Sequence, residues 1–340
     1  MFKPDFQITN LILQNIAEIE ASKQIIENAP LVPAWERRFR EDAVNRQVHH
    51  STAIEGNALN FTEAKNILEG KKIESFRKRD IKEIVNYRKA IDLITKNKDS
   101  DLTSEFILKI NSILLDGIID PANLGHFRKK EVVILSSKTQ NVVMEPPKAE
   151  EVESDIEELV DWFNSSDDNP TLKSGILQHE ITRIHPFIDG NGRTARLLST
   201  WSLYRDSYDI KEFFSLEEYY DQDPKGYYEA LGSADDGELS AWLGYFTKGL
   251  AVELSRVKAK ILDISRDMKT RKTVGQVALN DRQIRIVKFI EDTGKIQNPD
   301  FKELFAKVSD DTILRDLKDL MDKKLVRKRG KTKAARYELI

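Results

Sequence analysis

Apolar residues recur along most of this chain three and four positions apart, the spacing that places them on one face of a helix. Polar residues and glycines separate these segments and mark where helices begin and end. The predicted helices are an N-terminal one, 34–55, a short one capped by Thr62, a longer one from Ile81, one capped by Thr103 or Ser104, 149–164, 171–184 and 238–269. The chain is therefore expected to be mainly α-helical.

One segment before residue 270 follows a different pattern. Two short runs rich in valine and isoleucine, 132–135 and 142–144, flank the polar residues 136–141, and two prolines follow at 146 and 147. Two β-rich runs around a polar turn predict a hairpin over 127–145.

The last sixty residues form a separate pattern. A polar stretch with one glycine, 271–280, predicts a linker before three helices and a terminal hairpin, an order that resembles a winged-helix domain over 281–340. From Met321 to Ile340 there are eight Lys or Arg and two acidic residues, which could bind DNA phosphates. Four aspartates of the third helix would repel phosphates, so docking on another protein or a second copy is the alternative.

Composition limits the class of protein. Of 340 residues, 40% are hydrophobic and 33% charged, with a net charge of -3, as in soluble globular proteins. With no cysteine, disulfides and thiolate metal sites are excluded. No apolar run of transmembrane length and no leader segment are present, so we expect a cytoplasmic protein that does not enter a membrane.

The segment 185–196 gathers the residues best suited to chemistry. It lies between two strongly apolar helical patterns, and Gly190 and Gly192 allow a tight turn between them. The free N–H groups that open the second helix, together with its positive dipole end, form an anion site. Arg193 and Arg196 are three positions apart, so they lie on one side of that helix. A histidine and a carboxylate, His185 and Asp189, complete the set.

Residues 185–196 fill every fixed position of the Fic family motif, H-x-F-x-[DE]-G-N-G-R-x-x-R, so the chain resembles this family. The resemblance implies a helical catalytic core, here 101–270, that transfers AMP from ATP to a Ser, Thr or Tyr hydroxyl of a protein and releases pyrophosphate. In this interpretation His185 is the general base and Asp189 a Mg²⁺ ligand. The groups expected to bind the ATP phosphates are Gly190, Asn191, Gly192, Arg193 and Arg196.

The resemblance also assigns two elements outside the motif. The hairpin would be the flap that holds the target segment by edge pairing, here through Val142, Val143 and Met144. Tyr227 and Tyr228 would border the nucleotide base. The alternative for the tyrosines is core packing, and since adjacent helical residues face different ways, one of each is expected.

A second motif lies in the N-terminal helices, 1–100. Residues 51–56, Ser-Thr-Ala-Ile-Glu-Gly, resemble the inhibitory motif [ST]-x-x-x-E-[GN] of the family. The resemblance implies that Glu55, with Ser51 on the same helical face, pairs with Arg196 and keeps the γ-phosphate from binding productively. A capping box starting at Thr52 is the alternative, but Gly56 would interrupt that helix at once.

Other functions remain open at this stage. Some relatives use the corresponding glutamate to remove AMP from the target again, so the sequence leaves open whether the net reaction adds or removes AMP. A nucleotide-sensing, DNA-binding regulator is the rival from another class, although His185 argues for chemistry. The sequence also does not determine the target protein, whether the chain modifies itself, or whether it forms a homodimer. A zinc protease is excluded, because His179 and His185 are six residues apart rather than four.

Overall fold

The computed structural model describes residues 2–29, 31–71, 77–135, 142–273, 279–305, 308–330 and 335–340. Most of them are helical, as the apolar spacing predicts. The helices are α1 (Asn10–Glu27), α2 (Pro33–Ile54), α3 (Phe61–Leu68), α4 (Lys78–Lys96), α5 (Ser104–Leu115), α6 (Val152–Ser165), α7 (Pro170–Ile184), α8 (Asn191–Arg205), α9 (Leu216–Gln222), α10 (Pro224–Gly232), α11 (Ser240–Thr273), α12 (Asp281–Thr293), α13 (Asp300–Leu304) and α14 (Asp310–Asp322).

The predicted hairpin is present where the structure describes it. Strands β1 (Ile134–Leu135) and β2 (Val142–Met144) pair antiparallel, with Ile134 opposite Met144. The predicted turn, 136–141, lies outside the described residues.

Two compact units make up the chain. The first contains Met1–Asn28 and Arg40–Ala259, and the second contains Ala29–Phe39 and Lys260–Ile340. In the first unit, nearly every residue of α7 and α8 is buried, including Ile181, Leu197 and Trp201. Helices that are buried on nearly all sides lie in the middle of a fold, so these two form its centre and carry the loop between them.

An ion-pair network fastens α2 within the first unit. The Arg46 guanidinium contacts Glu218 of α9 at 2.7 Å and Glu253 of α11 at 2.6 Å. Burial alone would raise the pKa of Glu218, but hydrogen bonds from Arg256 and Arg46 outweigh it and lower the pKa to about 2. Because Arg46, Glu218 and Glu253 are charged and mostly buried, removing any one of them would leave the charges of the network unbalanced.

The second unit has its own apolar core and a small sheet. Strand β5 (Arg336–Leu339) lies between β3 (Ile296–Gln297) and β4 (Val326–Arg329), antiparallel to both. Ile290, Ile313 and Leu317 are among the residues buried beneath it. The three predicted helices and the terminal hairpin are present, while β3 was not predicted. The winged-helix interpretation and the predicted boundaries 1–100, 101–270 and 281–340 stay predictions.

Two local predictions differ from the structure. The cap of α3 is Asn60 rather than Thr62. The Asn60 side chain accepts from the Glu63 N–H, and the Glu63 carboxylate accepts from the Asn60 N–H. This reciprocal pair satisfies two backbone donors, so it prevails over a hydroxyl two residues on. Helix α11 reaches Thr273, so the predicted linker is shorter, and its residues 274–278 lie outside the described part. Among the described residues, no helix combines the length and apolarity that crossing a bilayer needs.

Candidate active site

The loop between α7 and α8 is held open by its own backbone geometry. His185 ends α7 in the left-handed region, with φ 50°, and Gly190 precedes α8 with φ 77°. A β-carbon at Gly190 would lie 3.0 Å from the Asn111 amide nitrogen, so this position requires glycine twice over. The Asn191 side chain closes the loop, since it accepts from the Phe187 N–H and donates to the Phe187 carbonyl. Phe187 is itself buried, so the loop is anchored in the core.

His185 is arranged as a neutral base. Its Nδ1 lies 3.3 Å from the Thr182 carbonyl oxygen, an acceptor, so we assign the proton to Nδ1 and the free lone pair to Nε2. Burial lowers the pKa of His185, the Thr182 contact opposes this, and the positive charge of Arg128 lowers it further. Nε2 is therefore available to accept a proton near neutral pH.

Asp189 and Arg193 form one cluster at the start of α8. Asp189 Oδ1 accepts from the Gly190 N–H at 2.6 Å and from Arg193 Nη2 at 3.0 Å. Asp189 Oδ2 lies 3.4 Å from Arg79 Nη2, whose side chain is exposed. Since the Gly190 N–H is engaged here, the N–H groups of the next residues are left to bind an anion. Among the described residues, no group of three side chains could hold a metal ion alone.

Arg196 is fully buried and bound to the last turn of α2. Its Nε donates to Ser51 Oγ at 2.8 Å, and its Nη2 donates to the Ser51 carbonyl at 2.9 Å and to Glu55 Oε1 at 2.8 Å. Ser51 is also buried, while the Glu55 side chain is 27% exposed. The structure therefore brings together Ser51, Glu55 and Arg196, as the sequence predicts.

The Glu55 carboxylate lies directly against the glycine turn of α8. A β-carbon added to Gly192 would be 2.5 Å from Glu55 Oε1, so only glycine leaves room for this oxygen. Burial alone would raise the pKa of Glu55, but Arg196 and then Arg193 outweigh it and keep the pKa below its usual value. An ionised carboxylate thus lies beside the first turn of α8, paired with Arg196.

The predicted aromatic pair is split between core and surface. Tyr227 is buried and stacks on Tyr220 with ring centroids 4.4 Å apart, whereas Tyr228 is 52% exposed. Near the flap strand β2, a cavity of about 610 Å³ is lined by Met144, Arg183 and Asp235, among others. The base-bordering role of the tyrosines and the target-binding role of Val142, Val143 and Met144 stay predictions.

Four residues that hold the motif were not assigned roles from the sequence. Asn111 of α5 donates to the Asp189 carbonyl, Glu83 of α4 lies 3.5 Å from Arg193, and Arg79 faces Asp189. Arg128, ahead of the flap, donates to the His185 carbonyl. Each acts across a long sequence separation, so no local spacing in the sequence indicates it.

The fold and the loop define the class of protein. Residues 101–203, which contain α7, the loop with its histidine and most of α8, match the Fic/DOC family model. The predicted resemblance to this family is confirmed over that part of the chain.

Relatives and solved structures agree with this class. The chain is 28% identical over 206 residues to the protein adenylyltransferase Fic of Drosophila willistoni and 25% identical over 251 residues to that of Nematostella vectensis. These alignments cover 57% and 71% of this chain, but only 39% and 55% of the relatives.

A Fic family protein from Desulfovibrio desulfuricans matches 100% of the chain and 98% of its own length with a TM-score of 0.68 and 22% identity. A Fic domain containing signaling protein from Bacteroides thetaiotaomicron, 23% identical, matches 75% of the chain and 97% of its own length, with a TM-score of 0.63. At these identities, the structural similarity establishes the fold alone.

Proposed function

We propose that this protein transfers AMP from ATP to a hydroxyl group of a protein side chain. One observation carries the proposal: the chain's own Glu55 carboxylate lies against the first turn of α8 and pairs with Arg196. A site that holds an internal carboxylate between a glycine turn and Arg196 is suited to phosphate oxygens. The relatives named protein adenylyltransferase give the proposal its reaction.

The reaction needs one proton acceptor and one leaving group. The target oxygen forms a bond to the α-phosphorus of ATP while its proton passes to Nε2 of His185. The bond between the α-phosphorus and the bridging oxygen breaks, and pyrophosphate leaves with the electron pair. His185 is suited to this role, since its Nδ1 is directed to Thr182 and burial keeps the ring neutral.

The arginines of α8 supply the positive charge for the phosphates. Arg193 and Arg196 are 3% and 2% exposed, and a buried guanidinium interacts with phosphate oxygens more strongly than an exposed one. Arg193 Nε has no hydrogen-bond partner in the described structure, so one donor of its fork is available. The N–H groups of the first turn of α8 add neutral donors that cost no reorganisation.

Asp189 fits a magnesium ion that arrives with ATP. A single carboxylate is too little for a resident metal, but Mg²⁺ commonly takes one or two carboxylates together with phosphate oxygens and water. Asp189 Oδ2 suits this task, because its neighbour Arg79 is exposed and 3.4 Å away. Bound there, the ion would neutralise phosphate charge during the transfer.

We also propose that Glu55 inhibits the transfer. Its carboxylate occupies Arg196 and the space above Gly192, both of which the triphosphate would need. ATP can bind productively only after this carboxylate moves or is displaced. Removal of AMP by this chain is not favoured by any contact of the described residues.

The acceptor and further partners stay predictions. A protein hydroxyl, on another protein or on this chain, fits the proposed chemistry, and a homodimer and a cytoplasmic location are untested. DNA binding by the second unit gains no support from strands β4 and β5. Their arginines Arg327, Arg329 and Arg336 already pair with Glu338.

Replacing the base tests the proposed reaction. We expect His185→Ala to lower AMP transfer about 10²- to 10⁴-fold, the usual contribution of a positioned base, while ATP binding is retained. Transfer is measured by intact mass and ATP binding by calorimetry, both in a Glu55→Gly background. His126→Ala, which removes an exposed histidine, is the matched control and should transfer at the parent rate. Equal rates for all three proteins would refute the assignment of His185.

A further inference from the structure

A buried arginine lies behind the motif without a role in the chemistry described above. The Arg128 side chain has no exposed surface, and the one carboxylate paired with it in the described part of the chain, Glu131, is 3.7 Å away and 69% exposed. Burying a guanidinium without a close buried counterion is costly unless hydrogen bonds replace its water. The hydrogen bonds of Arg128 therefore indicate why a guanidinium is buried at this place.

The first set of contacts goes to the catalytic loop. Arg128 Nε donates to the His185 carbonyl at 2.8 Å, and Nη2 lies 3.4 Å from the Ile184 carbonyl. The backbone N–H of Arg128 also donates to the Pro186 carbonyl at 2.8 Å. Carbonyls at the end of a helix have no partner within the helix, and a positive charge there is favourable. Arg128 thus caps α7 where the chain turns left-handed at His185.

The second set of contacts goes to both ends of the flap segment. Arg128 Nη1 donates to the Lys130 carbonyl at 3.2 Å, just before the hairpin, and Nη2 donates to the Pro147 carbonyl, just after it. One planar guanidinium therefore joins the catalytic loop to the two chain segments from which the flap extends. A lysine ammonium carries the same charge from a single point, and it cannot reproduce donors spread over a fixed fork.

We infer that Arg128 is a positioning residue: it fixes the backbone of His185 and ties the base of the flap to the catalytic loop, so that base and target-binding strand keep one relative position. This inference rests on the proposed function, in which His185 is the base. A misplacement of about 1 Å in a catalytic group can reduce a rate by orders of magnitude, so losing this clamp should lower kcat. KM for ATP should stay the same, because Arg128 does not contact the phosphate-binding residues.

The charge of Arg128 adds a second, separable effect. Burial lowers the pKa of His185 most, and Arg128 lowers it further, whereas the Thr182 carbonyl, Glu55 just after α2 and Asp189 of the loop raise it. A neutral residue at position 128 should therefore raise the pKa of His185, and a lysine should leave it close to its present value. Hydrogen bonding and charge can thus be separated by two substitutions.

The experiment compares Arg128→Lys and Arg128→Gln in a Glu55→Gly background, with Lys129→Gln, an exposed neighbour, as the control for lost charge. Transfer kinetics give kcat and KM for ATP, and an NMR titration of the His185 imidazole gives its pKa. We expect kcat to fall about tenfold or more in both Arg128 variants at unchanged KM. The pKa of His185 should rise in Arg128→Gln alone, and Lys129→Gln should match the parent.

Three results would overturn the inference: a kcat within twofold of the parent in Arg128→Lys, a loss carried by KM instead of kcat, or a His185 pKa in Arg128→Gln equal to that of the parent. Should the glutamine variant fail to fold, the kinetics of the lysine variant decide. The NMR titration requires no transfer activity. If no variant and no parent transfers AMP, the proposed function fails, while the His185 titration still tests the effect of Arg128.

Discussion

At the scale of single residues, the proposed inhibition depends on Glu55. Burial alone would favour its protonated form, yet two arginines hold it ionised against the glycine turn of α8. A charge-assisted hydrogen bond contributes about 1.5–3 kcal/mol, and partial exposure of Glu55 reduces this by solvent screening. A contact of that size is strong enough for the proposed inhibition and weak enough for a triphosphate to displace it.

The pH dependence of transfer follows from the surroundings of His185. The base must be neutral, and burial first and Arg128 next lower its pKa, while Glu55 raises it. In Glu55→Gly one of the opposing effects is lost, so the pKa falls further and the base stays neutral to lower pH. We expect the acid limb of the single-turnover rate to lie below about 6.5, the pKa of an unperturbed histidine. An acid limb at or above that value would contradict this assignment.

At the scale of elements, the end of α2 and the start of α8 form the contact through which we propose that transfer is inhibited. The sequence predicted that α2 ends near Gly56 and that Ser51 and Glu55 share a face, since both follow from local rules. It could not predict that Arg46 would pair with Glu218 and Glu253, residues more than 170 positions away, because such pairs depend on packing. Strand β3 was missed for a similar reason: two residues pair only because β5 lies beside them.

The contribution of α2 can be tested without touching Glu55. Ser51→Ala removes the hydroxyl that accepts from Arg196 Nε, so Arg196 should be released more often, and transfer should rise about threefold or more, for a loss of about 1 kcal/mol. Thr52→Ala is the matched control, because its hydroxyl bonds only to carbonyls of α2 in the described contacts. Steady-state transfer rates of both variants provide the test. An equal rise in the two variants would mean that loosening of α2, rather than the Arg196 contact, is responsible.

At the scale of the whole molecule, the sequence predicted the mainly helical fold, and the structure brings the residues of the predicted motif together. The motif residues are adjacent in the chain, so a local pattern sufficed to assemble His185, Asp189 and Arg193. The division into units was harder, since the second unit also includes Ala29–Phe39, the segment that contains the start of α2. Which unit a segment belongs to depends on its contacts with distant segments, and the spacing of apolar residues does not indicate these contacts.

The central claim is that this chain transfers AMP with His185 as the base and Glu55 as the inhibitor. The most direct test is the intact mass of the full chain, alone and with candidate targets, after incubation with Mg-ATP. Removing the carboxylate frees Arg196, so Glu55→Gly should transfer AMP tenfold or more faster than the parent, which corresponds to about 1.4 kcal/mol. The double variant Glu55→Gly with His185→Ala should show no mass gain. A Glu55→Gly protein no faster than the parent, or a double variant as active as Glu55→Gly alone, would contradict the account.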